Sequence, residues 1–443
     1  GEALRRLGEA GYRKQLDAAA DLAAELGDGA LMARALLATY RGTFTRAMHV
    51  DEAQVARLRR ALELLGDGEP PLRAGLLALL GTELAWALDA GAGERASDAA
   101  LALARDAGDR ELLADVLAQR QWSVFHPIEE RVATTRELAE LAAESVRPAL
   151  RFDAAGSALF TAARIGDRAA AAAALEVLRQ LAAEIDQPLT HWMLAIREAT
   201  AALIEGRVDH ARAFVSSGSA LAKQLGMPDA AAQLRVQRFW IDAEAEASDA
   251  ARAALRAAVQ IHRELLPFNW SSLAFRCVEL GLASERDAVL ASLAPGLATL
   301  RRGQTWLLSL CGTALAAADA GDVALCAWLH DPLAQHGDEH ANFVFGTLGS
   351  VARYAGLTAR ALGRVDDAER WLTRAAERDG AFGAPAWRAR ALLDLAELRW
   401  ERDGKLGAEA RAGFDEAREL SSRLGLAVVS ERAERLRARW DRS

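Results

Sequence analysis

The chain has 443 residues, 51% of them hydrophobic and many of those alanine, with 54 basic against 62 acidic residues and a net charge of −8. That balance argues against nucleic-acid binding, which calls for a basic excess or a concentrated basic face. With only 10 prolines and an abundance of the best helix former, the composition predicts an all-α protein. Signs alternate in Glu369-Arg370, Glu377-Arg378 and Asp415-Glu416-Ala417-Arg418, as on solvated helix faces. Cys277, Cys311 and Cys326 lack CxxC spacing and sit in apolar context, which predicts buried thiols in a reducing compartment.

The amino end, Gly1-Glu2-Ala3-Leu4-Arg5-Arg6, carries no apolar run behind a basic cluster, and Gly1 in place of methionine is expected of a tag remnant or an excised piece of a longer protein. From there, glycines close helical runs at Gly27, Gly66, Gly108 and Gly226, at intervals of 39, 42 and 118 residues, the last being three periods of about 39. Between Gly66 and Gly108 lies the most apolar stretch, residues 72–88, which Arg73 and Glu83 interrupt, so no membrane span is expected and the protein reads as cytoplasmic. Prolines repeat the same period: Pro148, Pro188, Pro228 and Pro267 stand 40, 40 and 39 residues apart, each before a helical stretch where proline is tolerated. Gly303, Gly337, Gly380 and Gly425 continue the helix stops more loosely.

Within the period lies a turn. Gly206-Arg207-Val208-Asp209-His210-Ala211 recurs as Gly363-Arg364-Val365-Asp366-Asp367-Ala368, with weaker copies at Gly166-Asp167-Arg168-Ala169 and Gly321-Asp322-Val323-Ala324. Glycine relieves the turn, aspartate is expected to cap the next helix, and alanine lets the two helices press together. This is the logic of the tetratricopeptide hairpin. Around Gly363 positions can be assigned: Gly356 takes the small position of the first helix, Ala368 and Ala375 the close-packing positions and Leu372 the large apolar one. Ala352, Ala359 and Gly380 stand where that motif prefers tryptophan, tyrosine and proline. The expectation is a single right-handed superhelical solenoid over residues 1–443, of about 11 antiparallel tetratricopeptide-like pairs, with softer joints near Pro127 and Pro295.

The runs from Gly349 to Leu357, Ala361 to Glu369, Trp387 to Ala391, Leu395 to Leu398 and Ala417 to Leu426, with Asp186 to Leu189, Trp192 and Ala201 to Gly206, resemble the helical carboxy-terminal half of large actinobacterial regulators. Those proteins join a LuxR-type or other helix-turn-helix domain, or a nucleotide cyclase, to a P-loop ATPase and then to a tetratricopeptide array. The resemblance implies a sensor arm that binds an inducer or partner; a free-standing scaffold for protein segments is the alternative.

Catalytic motifs are missing from the sequence: Gly404-Lys405 is followed by Leu406 and lacks the upstream glycine of a P-loop, and no GxSxG, HExxH, paired CxxC or dinucleotide fingerprint occurs. No enzyme activity and no cofactor are expected. His330, Asp331, His336, Asp338, Glu339 and His340 are dense enough in donors for a metal, but Pro332 and Gly337 predict a solvated loop there, the more ordinary reading. Of the eleven tryptophans, Trp86, Trp328 and Trp371 fall in apolar stripes and are expected in the core. Projecting the register from Gly166, Gly206, Glu246 and Gly363 turns Phe160, Arg164, Arg197, Gln237, Trp240, Arg353 and Arg360 toward a concave groove. Those residue types suit a protein, a peptide or an anionic small effector.

Overall fold

The computed structural model describes residues 1–9, 11–41, 50–87, 90–260, 267–293, 302–303 and 305–442. Helices dominate it in antiparallel succession. The amino-terminal part holds α1 (Glu2–Leu7), α2 (Tyr12–Glu25), α3 (Gly29–Leu37), α4 (Glu52–Leu65), α5 (Pro70–Glu83), α6 (Ala90–Ala107), α7 (Arg110–Ser123) and α8 (Ile128–Ala143). The middle holds α9 (Pro148–Ile165), α10 (Arg168–Ile185), α11 (Pro188–Ile204), α12 (Val208–Gln224), α13 (Pro228–Ala245), α14 (Asp249–Gln260), α15 (Pro267–Glu279) and α16 (Ala283–Leu293). After α17 (Trp306–Ala320) and α18 (Val323–Gln335) come two strands, β1 (His340–Phe343) and β2 (Gly346–Ser350). The chain finishes with α19 (Val351–Ala361), α20 (Val365–Phe382), α21 (Pro385–Asp403), α22 (Ala408–Leu424) and α23 (Ala427–Trp440). This is an all-α, solenoid-like helical repeat fold with, among the described residues, one small hairpin set into it.

The punctuation does what its chemistry dictates. Pro148, Pro188, Pro228 and Pro267 each open a helix, α9, α11, α13 and α15, where a missing N–H costs nothing. Gly166, Gly206, Gly321 and Gly363 turn between paired helices with φ from +71° to +77°. Asp167 and Asp322 cap α10 and α18, accepting from Ala170 N and Leu325 N. Asp209 and Asp366 do not: Arg207 and Arg364 hold the N-cap places, and those aspartates lie one residue into the helix. Gly380 is also not a stop, since α20 runs on through Phe382 and ends at Gly383. Pro295 lies outside the described residues, while the stretch before Pro127 is packed, with Phe125 edge-on to Trp306 at 5.1 Å.

The motif register holds at atomic detail. Ala368, Leu372 and Ala375 are fully buried, and a Cβ on Gly356 would come within 2.8 Å of Leu372. Trp328, in contrast, is 44% exposed, and Trp371 is half-buried. Pro332 does not break α18, so His330 is a buried helical residue, its Nδ1 3.0 Å from Thr358 Oγ1, and not part of a loop. Among the described residues no helix is long and apolar enough to cross a membrane.

The array curls until distant pairs meet. Arg41 reaches Met227, and Arg252 reaches Glu431 at 2.7 Å. What fills the centre is the chain's own β-hairpin. β1 packs on α9 and α17, and β2 on α11, α13, α17, α19, α20 and α21. An isolated two-stranded hairpin is marginal in water, so this one depends on its surroundings. Ala341, Phe343, Phe345 and Leu348 are at most 4% exposed. Thr200 donates to Val344 O, Asn342 Nδ2 donates to Ala163 O at 2.7 Å, and Tyr354 donates to Leu348 O at 2.7 Å. Gly346 and Gly349 let it fit: a Cβ on either would fall 2.9 Å or less from Trp240 or Trp387.

Candidate functional site

The first helices of the pairs do line the interior, but the hairpin occupies most of it, and the seven residues expected in a concave groove fall into three settings. Arg164, Gln237 and Trp240 hold the hairpin or its supports. Arg164 pairs with Glu339 just before β1, and its guanidinium sits 4.4 Å from the Phe125 ring. Gln237 is fully buried; its Nε2 donates to Ile196 O at 2.8 Å and to Thr200 Oγ1 at 2.9 Å. Trp240 is 4% exposed, with Gly346 against its face. Neither of the last two presents a surface to a partner. The expectation of an open groove at these positions is therefore corrected: the sequence's own strand pair covers them.

Arg353 and Arg360 belong to a polar chamber of about 610 Å³ bounded by α19, α21 and α23. Arg353 donates to Asp394 Oδ2 at 2.6 Å, and Arg432 reaches the other oxygen of the same carboxylate at 2.5 Å. Arg360 and Arg439 both bond Glu397 and Glu401. Deeper in, Arg390 is clamped between Glu244 at 2.9 Å and Glu279 at 2.8 Å. Burial alone would raise the Asp394, Glu397 and Glu279 carboxyls, yet the neighbouring guanidinium groups hold all three below the usual carboxylate range. The ion pairs here are with the protein's own acids and join α13, α15, α19, α21 and α23, while Nη1 and Nη2 of Arg353 are buried without a hydrogen-bond partner.

Phe160 and Arg197 border a different space. A cavity of about 220 Å³ lies between α9, α10 and α11 on one side and β1 with its turn on the other. Its walls are Trp122, Leu159, Phe160, Leu175, Ile204, Phe343, Val344 and Phe382. Trp122 and Phe160 have ring centroids 5.1 Å apart. At its edge Arg168 and Glu205 are exposed and mark the side open to solvent. Arg197 Nη1 donates to Met193 O at 2.9 Å, and burial pushes this guanidinium down to about 10. Behind it, burial pushes the Asp153 carboxyl up to about 7, against the opposing pull of Arg197. A cavity wall made partly by a hairpin that carries no strand-like sequence pattern was not foreseeable residue by residue.

The histidine-rich segment forms no metal centre: among the described residues no group of three or more His, Cys, Asp or Glu could hold an ion. His336 Nδ1 lies 2.6 Å from Glu339 and His340 Nε2 lies 3.3 Å from Asp379, so these donors serve separate structural contacts. The three cysteines are free and buried.

Fold and interior together define a class, a helical repeat protein wound around a central hairpin. No family model matches the chain, and no curated protein does. Among solved structures it is similar to a "Circular tandem repeat protein with novel repeat topology and enhanced subunit contact surfaces", with 17% identity over 97% of this chain and 94% of that chain, at a TM-score of 0.16. At that score the two chains do not superpose as one arrangement, and the likeness carries nothing over to this protein.

Proposed function

We propose that the chain is a non-catalytic binding module, the sensor arm of a bacterial signalling or transcription regulator, which takes a small effector into the cavity beside its central hairpin. The observation that carries this is the 220 Å³ cavity itself, walled mainly by rings and aliphatic chains, whereas the larger chamber is lined by ion-paired groups. Concave, mostly apolar spaces with a few convergent polar groups are where small molecules bind. Its polar lining is Arg168, Arg197, Thr200, Glu205 and Asn342, which offers no nucleophile paired with a general base, so binding without turnover is the chemistry it supports. The resemblance of the carboxy-terminal runs to regulator arrays supplies the sensor role. Occupancy has a route to a signal: the cavity wall belongs to β1, and the same hairpin touches the inner helices from α9 to α21.

A second reading, docking of a protein segment, rests on Leu22, Leu26 and Leu31, which stand 57%, 70% and 47% exposed at the end of α2 and the start of α3. A thermal-shift screen of small fragments separates the two. Under the effector reading some fragments stabilise the chain, and the cavity-filling change Ala201→Phe removes their effect. If every stabilising fragment acts equally on the filled variant, the cavity is not the site.

A further inference from the structure

We infer that this cavity takes a monoanionic organic acid, whose ring-bearing apolar body lies inside while its carboxylate meets Arg168 at the mouth. The inference rests on the reading of the cavity as the effector site and names the chemical class of that effector.

The body follows from the walls. Trp122, Phe160, Phe343 and Phe382 present four aromatic rings, and Leu175 and Ile204 fill between them. Rings pack well against such walls in tilted and edge contacts, which add to the burial of their area. A volume of about 220 Å³ exceeds the roughly 150 Å³ cavity that accommodates one benzene, which leaves room for a second ring.

The charge follows from which groups at the mouth are already paired. Arg168 and Glu205 are the exposed charged residues of the lining. Glu205 is taken by Arg207, whose Nε donates to it at 2.7 Å and whose Nη2 lies 2.6 Å away. Arg168 has no such partner: among the described residues no carboxylate pairs with it, and the adjacent Asp167 instead caps α10 by accepting from Ala170 N. The Arg168 guanidinium lies over the turn after α20, where a Cβ on Gly383 would fall 3.0 Å from Nε and 3.1 Å from Cζ. Phe382, the residue before that glycine, is a cavity wall. The unpaired cation therefore stands at the rim of the apolar space.

Donors deeper in are engaged. Arg197 Nη1 serves Met193 O, Asn342 Nδ2 serves Ala163 O and the Thr200 hydroxyl serves Val344 O. A carboxylate drawn fully inside would lose its water for few partners, which is costly. At the rim it keeps water on one side and gains a planar guanidinium on the other. A cationic ligand would meet Arg168 there, with the nearby Glu205 already occupied.

The test uses three probes of similar shape: 2-naphthylacetate, 2-naphthylacetamide and 2-naphthylmethylamine, titrated calorimetrically into the full chain at pH 8. Expected is one-to-one binding of the acetate, about fivefold weaker binding of the amide, as suits an exposed ion pair, and the weakest binding of the amine. Added salt should narrow the gap between acetate and amide, because an exposed pair is screened. In Arg168→Gln, an exposed position whose replacement leaves the core alone, the acetate falls to the affinity of the amide while amide binding persists. Arg168→Lys restores part of the difference. Equal binding of acetate and amide by the parent, an acetate advantage that survives in Arg168→Gln, or no binding of any probe overturns the assigned class, while the fragment screen still decides whether the cavity is a site. Undiminished acetate binding to Ala201→Phe and to Ala171→Phe overturns both the class and the site.

Discussion

The two interior spaces of this protein are built from the same helices and both contain arginines, yet they have opposite characters. In the chamber between α19, α21 and α23, each carboxylate from Asp394 to Glu401 meets at least one guanidinium, and these charged groups share the lining with Leu357, Leu393 and Val429. In the cavity beside the hairpin, rings and aliphatic chains form the walls, and Arg197 is turned into the protein toward Met193 O. Arginine on an inner helix face is therefore no signature of a ligand site by itself. Its role follows from which partners the packing supplies, and where partners are complete the arginine joins helices and binds nothing else.

Breaking the chamber has the largest expected effect. Arg390 is 1% exposed and holds Glu244 and Glu279. Arg390→Leu leaves two buried carboxylates without their shared cation, and removing one partner of a buried pair costs about 3–5 kcal/mol. Chemical denaturation should show a loss of that order. A loss under 1 kcal/mol would mean that water reaches the chamber freely and that its ion pairs are not the joint between repeats. The same measurement on Asn342→Leu, at the apolar cavity, should show much the smaller change.

A place with no cavity at all calibrates both. Ala368 and Ala375 are fully buried where α20 presses on its neighbours, and Ala368→Leu or Ala375→Leu should destabilise by about 1–3 kcal/mol through overpacking. Equal thermal stability of both variants and the parent would show that α19 and α20 can separate cheaply.

That last register was legible from residue type alone, because Gly356, Gly363, Ala368 and Leu372 do their work through size and backbone freedom inside one repeat. The helix-opening prolines were legible for the same reason. What was hidden came from contacts between repeats. The hairpin has no Asn-Gly or similar turn: Val344 and Phe345 form it, without positive φ. Buried on both faces, its strands also lack the alternation that marks a half-exposed strand. Its glycines serve Trp240 and Trp387, residues far off in sequence. Likewise Pro332 reads as a loop residue, but its helix continues through it to Gln335. Inner-face register could be projected from the glycines. Whether that face was open could not, since the segment that closes it carries no local signal.

The smallest expected effect is a pH dependence that sets the two spaces apart. In the chamber the carboxyls are held low by guanidinium groups. Behind the apolar cavity, Asp153 is held high, at about 7, because burial outweighs its cationic neighbours. The groups facing it are Arg197 from α11, Arg147 at the start of α9, Asp115 from α7 and Tyr40 after α3. An unfolded aspartate titrates near 3.9, so between about pH 4 and pH 7 the folded chain holds one proton that the unfolded chain has released. Stability contributed by this group is therefore full at low pH and falls as pH rises toward 7. Asp153→Asn removes the titration. Relative to the variant, the parent should lose on the order of 1 kcal/mol between pH 5 and pH 8, less than the ideal value because about 1.4 kcal/mol per pKa unit is diminished by local relaxation. The comparison isolates Asp153 and its coupling to Asp115, since carboxyls remote from this pair titrate alike in both proteins. A parent that gains on the variant over the same range would place Asp153 with Asp394, as a carboxylate stabilised by arginine, and the contrast between the two spaces would then lie in shape alone.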